Sequence, residues 1–394
     1  MNNKNTQNKP EGREQLFIDM YKKQAKIAWH INEKASAIRQ QGWNRCYALA
    51  LMVAELEPCK TKVKELSYSS EKPLRRFREN SINVAYACSD SFAPFCGVSV
   101  FSLISGSDPQ KNYDILIMHS GNLSEINKKH LCALADGRRN ISIRIIDCSA
   151  TQIAANGKLR GYFSSEVYFR CLLMTGFFSE YDRFVYLDSD TVINCDIASL
   201  YHRNMNGKPI SAANDVCMEY LSNSGNNLVL NGTCISYSYY LKNMLELSHP
   251  SRYFNTGVMQ MDVQHLRKTD CFDKMLKMIQ SGAYYCFEQC VFNAVFKDNI
   301  NYLPLVWNVQ NVEGIYGNSR EFVSEKTLSY IKWCIPRYKV MHFVGPDKPW
   351  YKPDDKDSAV FVAYASQTAW FRPMIYAALT DKAEEFLQKY SNKK

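Results

Sequence analysis

Asp188 and Asp190 stand two residues apart at the end of an apolar run, Phe184 to Leu187. In regular β geometry residues i and i+2 share a face. Two carboxylates so placed can converge on one hard cation. Oxygen ligands with open positions suit Mn²⁺ or Mg²⁺ shared with a diphosphate. A solvated turn carrying two acids is the plainer reading. The apolar strand directly before them weighs against it, because ligands of open α/β sheets sit at the carboxyl ends of strands.

Far along the chain, His342, Gly345 and Lys348 recur at spacings of three. A strand-end imidazole can complete a metal shell, and Mn²⁺ accepts one more readily than Mg²⁺. A glycine lets backbone approach a phosphate closely, and a lysine adds a point charge. Residues 188–192 also fit D-x-D-x-[TV], the nucleophile motif of haloacid-dehalogenase-like phosphatases, whose first Asp becomes a phosphoaspartate. Those five residues alone do not separate the two chemistries. The distant His, Gly and Lys together favour a metal–diphosphate site.

The elements that must position these side chains read as βαβ units. Residues 82–88 form a buried strand, 89–91 a turn, and 95–104 an apolar helix. Strands follow at 113–119, 141–147, 183–187 and 209–214, with helices at 124–135 and 164–174. Strands alternating with helices give an α/β fold with a mostly parallel sheet flanked by helices. Ahead of it, residues 1–10 read as a polar leader, 13–40 and 46–56 as helices, and 60–79 as a charged linker. The domain division is a basic helical extension over 1–79, a catalytic unit over 80–350 and a helical tail over 351–394.

Composition narrows the class. The 394 residues are 46% hydrophobic and 22% charged, enough for a core without disulfides. None of the fourteen cysteines forms a C-x-x-C pair, so zinc ribbons and redox pairs lose support and free thiols in a reducing compartment are expected. The polar start and the lack of an apolar run of about 18 residues give the expectation of a cytoplasmic protein. Net charge is +9, and residues 1–80 carry 16 Lys/Arg against 9 Asp/Glu. Such an appendage can favour an acidic partner. Trp370, Phe371 and Tyr376 beside Lys382 and Lys389 could likewise meet an anionic membrane surface peripherally. No aromatic basic platform or zinc spacing points to nucleic acid.

The D-x-D after an apolar strand, together with H-x-x-G-x-x-K-P-W at 342–350, resembles glycosyltransferase family 8, which includes glycogenin and bacterial lipopolysaccharide glucosyl- and galactosyltransferases. The likeness continues in Asn255-Thr256-Gly257-Val258, in Glu288-Gln289, in L-P-x-x-W-N at 303–308, and in the first strand and helix, 82–104. It spans about residues 80–350. The resemblance implies a GT-A fold, a UDP-sugar donor, Mn²⁺ (or Mg²⁺) dependence, retention of anomeric configuration, and a glycan or glycolipid acceptor. UDP-glucose or UDP-galactose is the leading donor.

Carried over residue by residue, the resemblance implies that Asp188, Asp190 and His342 bind metal. Gly345 and Lys348 contact the diphosphate. Ala87, Cys88, Asp90, Phe92 and Ser189 line the nucleotide. Arg170, Asp188, Asn255 and Gly257 face the donor sugar. Gln289, Glu288 and Asp215 stand near the reacting carbon. The first turn, Ser89-Asp90-Ser91-Phe92, departs from the family's D-D-x-Y pattern, and Glu288 replaces a commoner Asp, which leaves the donor sugar open. Retention usually implies a carboxylate nucleophile, yet Gln289 is an amide. A front-face transfer is the favoured expectation, and attack by Asp215 or Glu288 is the alternative. A phosphatase using Asp188 and a non-catalytic sugar-nucleotide scaffold are the competing readings of the whole chain.

Overall fold

A computed structural model describes residues 56, 58–156, 164–282, 284–310, 323–345, 348–350, 358–372 and 374. The two helices expected within residues 13–56 lie almost wholly outside them. The βαβ reading holds in the described part. Strands β1 (Glu65–Ser67), β2 (Ser81–Ala87), β3 (Asn112–His119), β4 (Ile141–Asp147) and β5 (Arg183–Leu187) alternate with helices α1 (Ala93–Ser105) and α2 (Glu125–Ala133). The eight-stranded sheet runs β1-β4-β3-β2-β5-β10-β7-β11, where β7 is Ile210–Asn214, β10 Phe254–Asp262 and β11 Ile300–Tyr302. Strands β1 to β5 pair parallel, while β10 is antiparallel to both its neighbours.

The segment 60–79, expected to be a linker, instead supplies β1, which adds to the sheet edge beside β4. Its Glu65 is held there by His119 at 2.9 Å and Lys128 at 2.8 Å. One of the charges that suggested a linker, Glu65, thus helps dock the strand. The expected helix at 164–174 is present over Ser165–Met174 but is wound as a 3₁₀ run.

Strands β2 and β3 are buried along nearly their whole length, as expected of strands covered on both faces. Their alternating side chains feed two cores, one including Val84, Tyr86 and Ile115 and the other Ala85, Leu116 and Met118. Trp370, one of the aromatics that could meet a membrane surface or pack in a terminal helix, lies fully buried. Its indole N–H donates to Asn127 Oδ1 at 2.9 Å. A Cβ on Gly97 would come within 2.1 Å of its ring, so the glycine in α1 admits the tryptophan.

A second sheet, β12-β13-β6, joins Val309–Gln310, Val340–His342 and Thr191–Ile193. Strand β13 runs antiparallel to β6 with His342 opposite Thr191. This pairing carries a histidine from the far end of the chain to the Asp188–Asp190 turn. Three further helices matter for the site or its rim: α3 (Val216–Asn223), α4 (Cys271–Ser281) and α5 (Phe287–Phe296).

Candidate active site

Strand β5 ends at Leu187, so Asp188 to Asp190 form the turn into β6. Two backbone contacts fix this turn. The Asp188 N–H donates to Gly257 O at 2.8 Å, and the Phe343 N–H donates to Asp190 O at 2.9 Å. One comes from β10 and the other from just past β13, so both sheets clamp it. Ligand atoms of Asp188, Asp190 and His342 all lie within 4.8 Å of one another. His342 Nε2 is 3.1 Å from Asp190 Oδ1 and 3.8 Å from Asp188 Oδ2.

The donor set fits a divalent cation. Two carboxylates and one imidazole are hard-to-borderline ligands of the kind Mn²⁺ accepts. The imidazole is also oriented from behind, as metal-bound histidines usually are. His342 Nδ1 lies 3.0 Å from Asn308 Oδ1, and Asn308 Nδ2 donates to Asn255 Oδ1 at 2.9 Å. The second bond sets the amide so that Asn308 presents its oxygen to the ring. Nδ1 then carries the proton, and Nε2 turns a lone pair toward the carboxylates. Space is made by Gly257: a Cβ there would stand 2.2 Å from His342 Cε1 and 2.8 Å from Asp188 Oδ2. Any side chain at 257 would push the ring off the site.

Charge is balanced around these acids. Lys348 Nζ reaches Asp190 Oδ2 at 2.5 Å and also donates to Phe343 O. Burial disfavours the Asp190 carboxylate, but the Lys348 ammonium and, after it, His342 outweigh burial and hold its pKa well below the usual carboxylate range. Arg170 donates to Asp188 Oδ1 and to Thr256 O, each at 2.7 Å, and pairs with Glu288 Oε1 at 3.2 Å. Its guanidinium lies 4.3 Å from the Tyr186 ring centre. Burial pushes the Glu288 carboxyl up to about 7, with the Arg170 charge opposing. Gly345 adopts φ +75° with nothing within 4 Å of where a Cβ would be; its need for glycine is conformational.

The remaining expected residues form a second, amide-rich cluster. Asp215 caps α3 by accepting from the Met218 N–H at 3.0 Å through Oδ1. Its Oδ2 accepts from Asn255 Nδ2 and Gln289 Nε2, both at 3.1 Å. Gln289 also donates to Tyr253 Oη at 3.2 Å, and its Oε1 accepts the Thr256 N–H at 3.1 Å. Asn255 Oδ1 accepts from Gly257 N–H at 2.9 Å and from Asn308. Asn255, Asn308 and His342 thus link the two clusters hand to hand.

On the other side of the turn, Ser189 Oγ donates to Ala87 O at 2.9 Å, joining it to the end of β2. Cys88 is buried behind. Asp90 does not simply face open space. Its Oδ1 accepts the Ser124 N–H and Asn127 Nδ2, both at 2.8 Å, and so anchors the start of α2. Phe92 is half-buried and packs edge-on against Phe95 and Trp350.

The expected residues therefore gather at one end of the interior strands β2, β5, β10 and β7. Asn308, Thr256 and Tyr253 went unassigned in the sequence. Asn308 had a signal, since it closes the L-P-x-x-W-N element; Tyr253, two residues before Asn255, had none.

Comparison with known proteins follows the same boundaries. The family model "Glycosyl transferase family 8" matches residues 83–353. The lipopolysaccharide 1,2-glucosyltransferase of Escherichia coli (strain K12) is 24% identical over 276 residues, covering 69% of this chain and 73% of that protein. Among solved structures, the apo bifunctional glycosyltransferase WbbM superposes with a TM-score of 0.69 at 24% identity over 78% of this chain. The match spans 53% of the WbbM chain. The galactosyltransferase LgtC, solved with donor and acceptor sugar analogues, superposes at 0.59 and 18% identity, covering 74% of this chain and all of LgtC. These two likenesses establish a GT-A fold.

Proposed function

This chain belongs to glycosyltransferase family 8, and on that premise we propose that it is a retaining hexosyltransferase that uses a UDP-sugar, glucose or galactose, and a divalent cation, Mn²⁺ in the first place. The acceptor class we propose is a glycan or glycolipid. The observation that carries the reading is the convergence of Asp188, Asp190 and His342 beside Gly257, with His342 oriented by Asn308.

When bound, the cation would neutralise the charge that gathers on a departing diphosphate. Asp188, Asp190 and His342 would hold it. Lys348, now paired with Asp190, is free to turn its ammonium to a phosphate oxygen once a cation takes over that carboxylate. A charge that meets the leaving group more strongly in the transition state than before accelerates the reaction. Arg170 steers Asp188 and, with Glu288 and Asn255, borders the space for sugar hydroxyls.

Front-face transfer fits the amide cluster better than a covalent route. Both Asp215 oxygens already accept N–H groups, and Glu288 is paired with Arg170. Neither carboxylate stands as an unengaged nucleophile. Gln289 is saturated too, so its part is to hold Asp215 and the Thr256 backbone in place. Nothing in the arrangement marks Asp188 as a phosphatase nucleophile, since Arg170, His342 and the Asp190 turn surround it as a ligand.

Cytoplasmic location and peripheral membrane contact belong to this proposal as expectations. No helix among the described residues is long and apolar enough to cross a membrane. The test is transfer from UDP-glucose and UDP-galactose to water and to oligosaccharide acceptors, with the product anomer read by proton NMR. The reading predicts release of UDP with a retained α-anomer, dependent on Mn²⁺. An inverted product, or release of inorganic phosphate without sugar transfer, would overturn it.

A further inference from the structure

Glu166 is a buried carboxylate that only half of its hydrogen bonding explains. It is 4% exposed and sits at the start of the Ser165–Met174 3₁₀ run. Oε1 accepts both the Ser120 N–H at 3.1 Å and the Ser120 hydroxyl at 2.5 Å. Oε2 is fully buried and has no partner among the described residues. A buried carboxylate oxygen left unpaired is costly, more so than a neutral group. One oxygen would suffice to fix Ser120. The second has no donor among the described residues, and a donor from a bound molecule would remove its cost.

Its place in the fold says what that donor is. Ser120 directly follows β3. Cys88 directly follows β2, and its thiol is held well above its usual range by burial, by Cys96 and then by the Glu166 and Asp90 carboxylates. Cys148 directly follows β4 and is pushed up by burial, then by Asp147 and Glu166. Glu166 thus lies over the carboxyl ends of three adjacent parallel strands, where open α/β sheets bind ligands. Four residues further along the same run, Arg170 bonds Asp188. The Ser189 hydroxyl ties that turn to the end of β2. Glu166 and the cation site are thus joined through one 3₁₀ run and the ends of neighbouring strands.

The acid that the sequence offered for this end, Asp90, already spends its Oδ1 on Ser124 and Asn127 to anchor α2. We infer that Glu166 Oε2 accepts the imide N3–H of uracil and is the residue that makes the site select a uridine nucleotide. The inference rests on the UDP-sugar reading above and names the group that enforces it. Uracil presents an N–H at position 3, which a carboxylate accepts. Cytosine presents a lone pair there, which a carboxylate repels. An amide in place of the carboxylate has both a donor and an acceptor and accommodates either base.

The test is calorimetric binding of UDP, CDP, N3-methyl-UDP and 2′-deoxy-UDP, each with Mn²⁺, to the full chain and to Glu166→Gln. Ser120→Ala serves as a second variant, since it keeps the carboxylate and the backbone N–H bond to Oε1 and removes only the hydroxyl donor. A charge-assisted hydrogen bond predicts about a tenfold to hundredfold loss of UDP affinity in Glu166→Gln. CDP affinity rises or holds, so the preference for UDP shrinks by at least about tenfold. N3-methyl-UDP binds the wild type and the variant alike, and Ser120→Ala keeps its preference for UDP. If Glu166→Gln weakens UDP and CDP equally and 2′-deoxy-UDP shows no further effect of the variant, the contact is to the ribose and the inference fails. It fails also if UDP binds both proteins alike. If the wild type binds no uridine nucleotide but does bind another nucleoside diphosphate, the donor reading itself falls, and the inference with it.

Discussion

Asp190 and Asp215 are both largely buried acids at the ends of sheet strands, but Asp190 faces an ammonium and an imidazole while Asp215 faces three neutral N–H groups. Around Asp190 the partners are exchangeable. The Lys348 ammonium sits against the carboxylate that a divalent cation would take, and with His342 it keeps that carboxylate ionised. Around Asp215 each bond is part of a closed lattice of amides running through Asn255, Gln289 and Asn308. The first region is arranged to take up charge, and the second to stay where it is. Reactivity at one end and rigidity at the other are what a front-face transfer asks for, because the sugar must be held still while the diphosphate leaves.

The largest effect that separates the two regions comes from asparagine substitution of each acid. Asp190→Asn lowers kcat/KM by about 10³ or more, on the order of 4 kcal/mol, and abolishes Mn²⁺-dependent UDP binding. Asp215→Asn lowers kcat but leaves the Kd of UDP within about threefold, well under 1 kcal/mol. Steady-state kinetics with parallel calorimetry measures both. Equal loss of UDP binding in the two variants would erase the distinction.

Glu288 supplies the next test, because it belongs to the charged region yet its own carboxyl is raised to about 7. A carboxyl raised above its unfolded value near 4.5 stabilises the fold fully below that value. That contribution is lost as pH rises from about 4.5 through 7. In EDTA, the stability of Glu288→Gln relative to wild type should therefore climb by about 3 kcal/mol between pH 4.5 and pH 8. Urea melts across that range would show it. A flat difference would mean that Arg170 keeps Glu288 ionised throughout.

Asn308 joins the regions, and removing it should damage the charged one. Asn308→Ala frees the His342 ring and lowers Mn²⁺ affinity by about 10- to 100-fold, the usual toll for a lost partner of a metal-bound histidine. Titration of Mn²⁺ followed by electron paramagnetic resonance would measure it. Tyr253→Phe removes the hydroxyl that accepts from Gln289 and lies 3.2 Å from Cys290 Sγ, and should cost about 1 kcal/mol. The expected readout is a fall in kcat of about fivefold with metal affinity unchanged.

The same contrast explains what could be read from the chain in advance. The parallel half of the sheet was legible because each strand there is a local apolar run. The expected strand at 141–147 matches β4 and that at 183–187 matches β5. The D-x-D turn was legible for the same reason. Strand β1 was not, because three residues preceded by Lys62 and Lys64 carry no strand signature; the contacts of Glu65 with His119 and Lys128 hold it at the sheet. Trp370 stayed open between a packed helix and a membrane surface because sequence shows an aromatic among basic residues but not the notch at Gly97 that receives it. His342 could be suspected from its spacing to Gly345 and Lys348. Its orientation by Asn308 could not, since that depends on β12 and β13 lying side by side. Glu166 carried no signal at all, as only the folded chain shows a carboxylate with one oxygen employed and one buried alone.

The most direct test of the central claim is calorimetric titration of UDP into the full chain with Mn²⁺ and again with EDTA, repeated for Asp188→Ala and His342→Ala. The account predicts binding with Mn²⁺ that disappears in EDTA and in both variants. UDP binding of equal strength in EDTA, or undiminished in either variant, would contradict it.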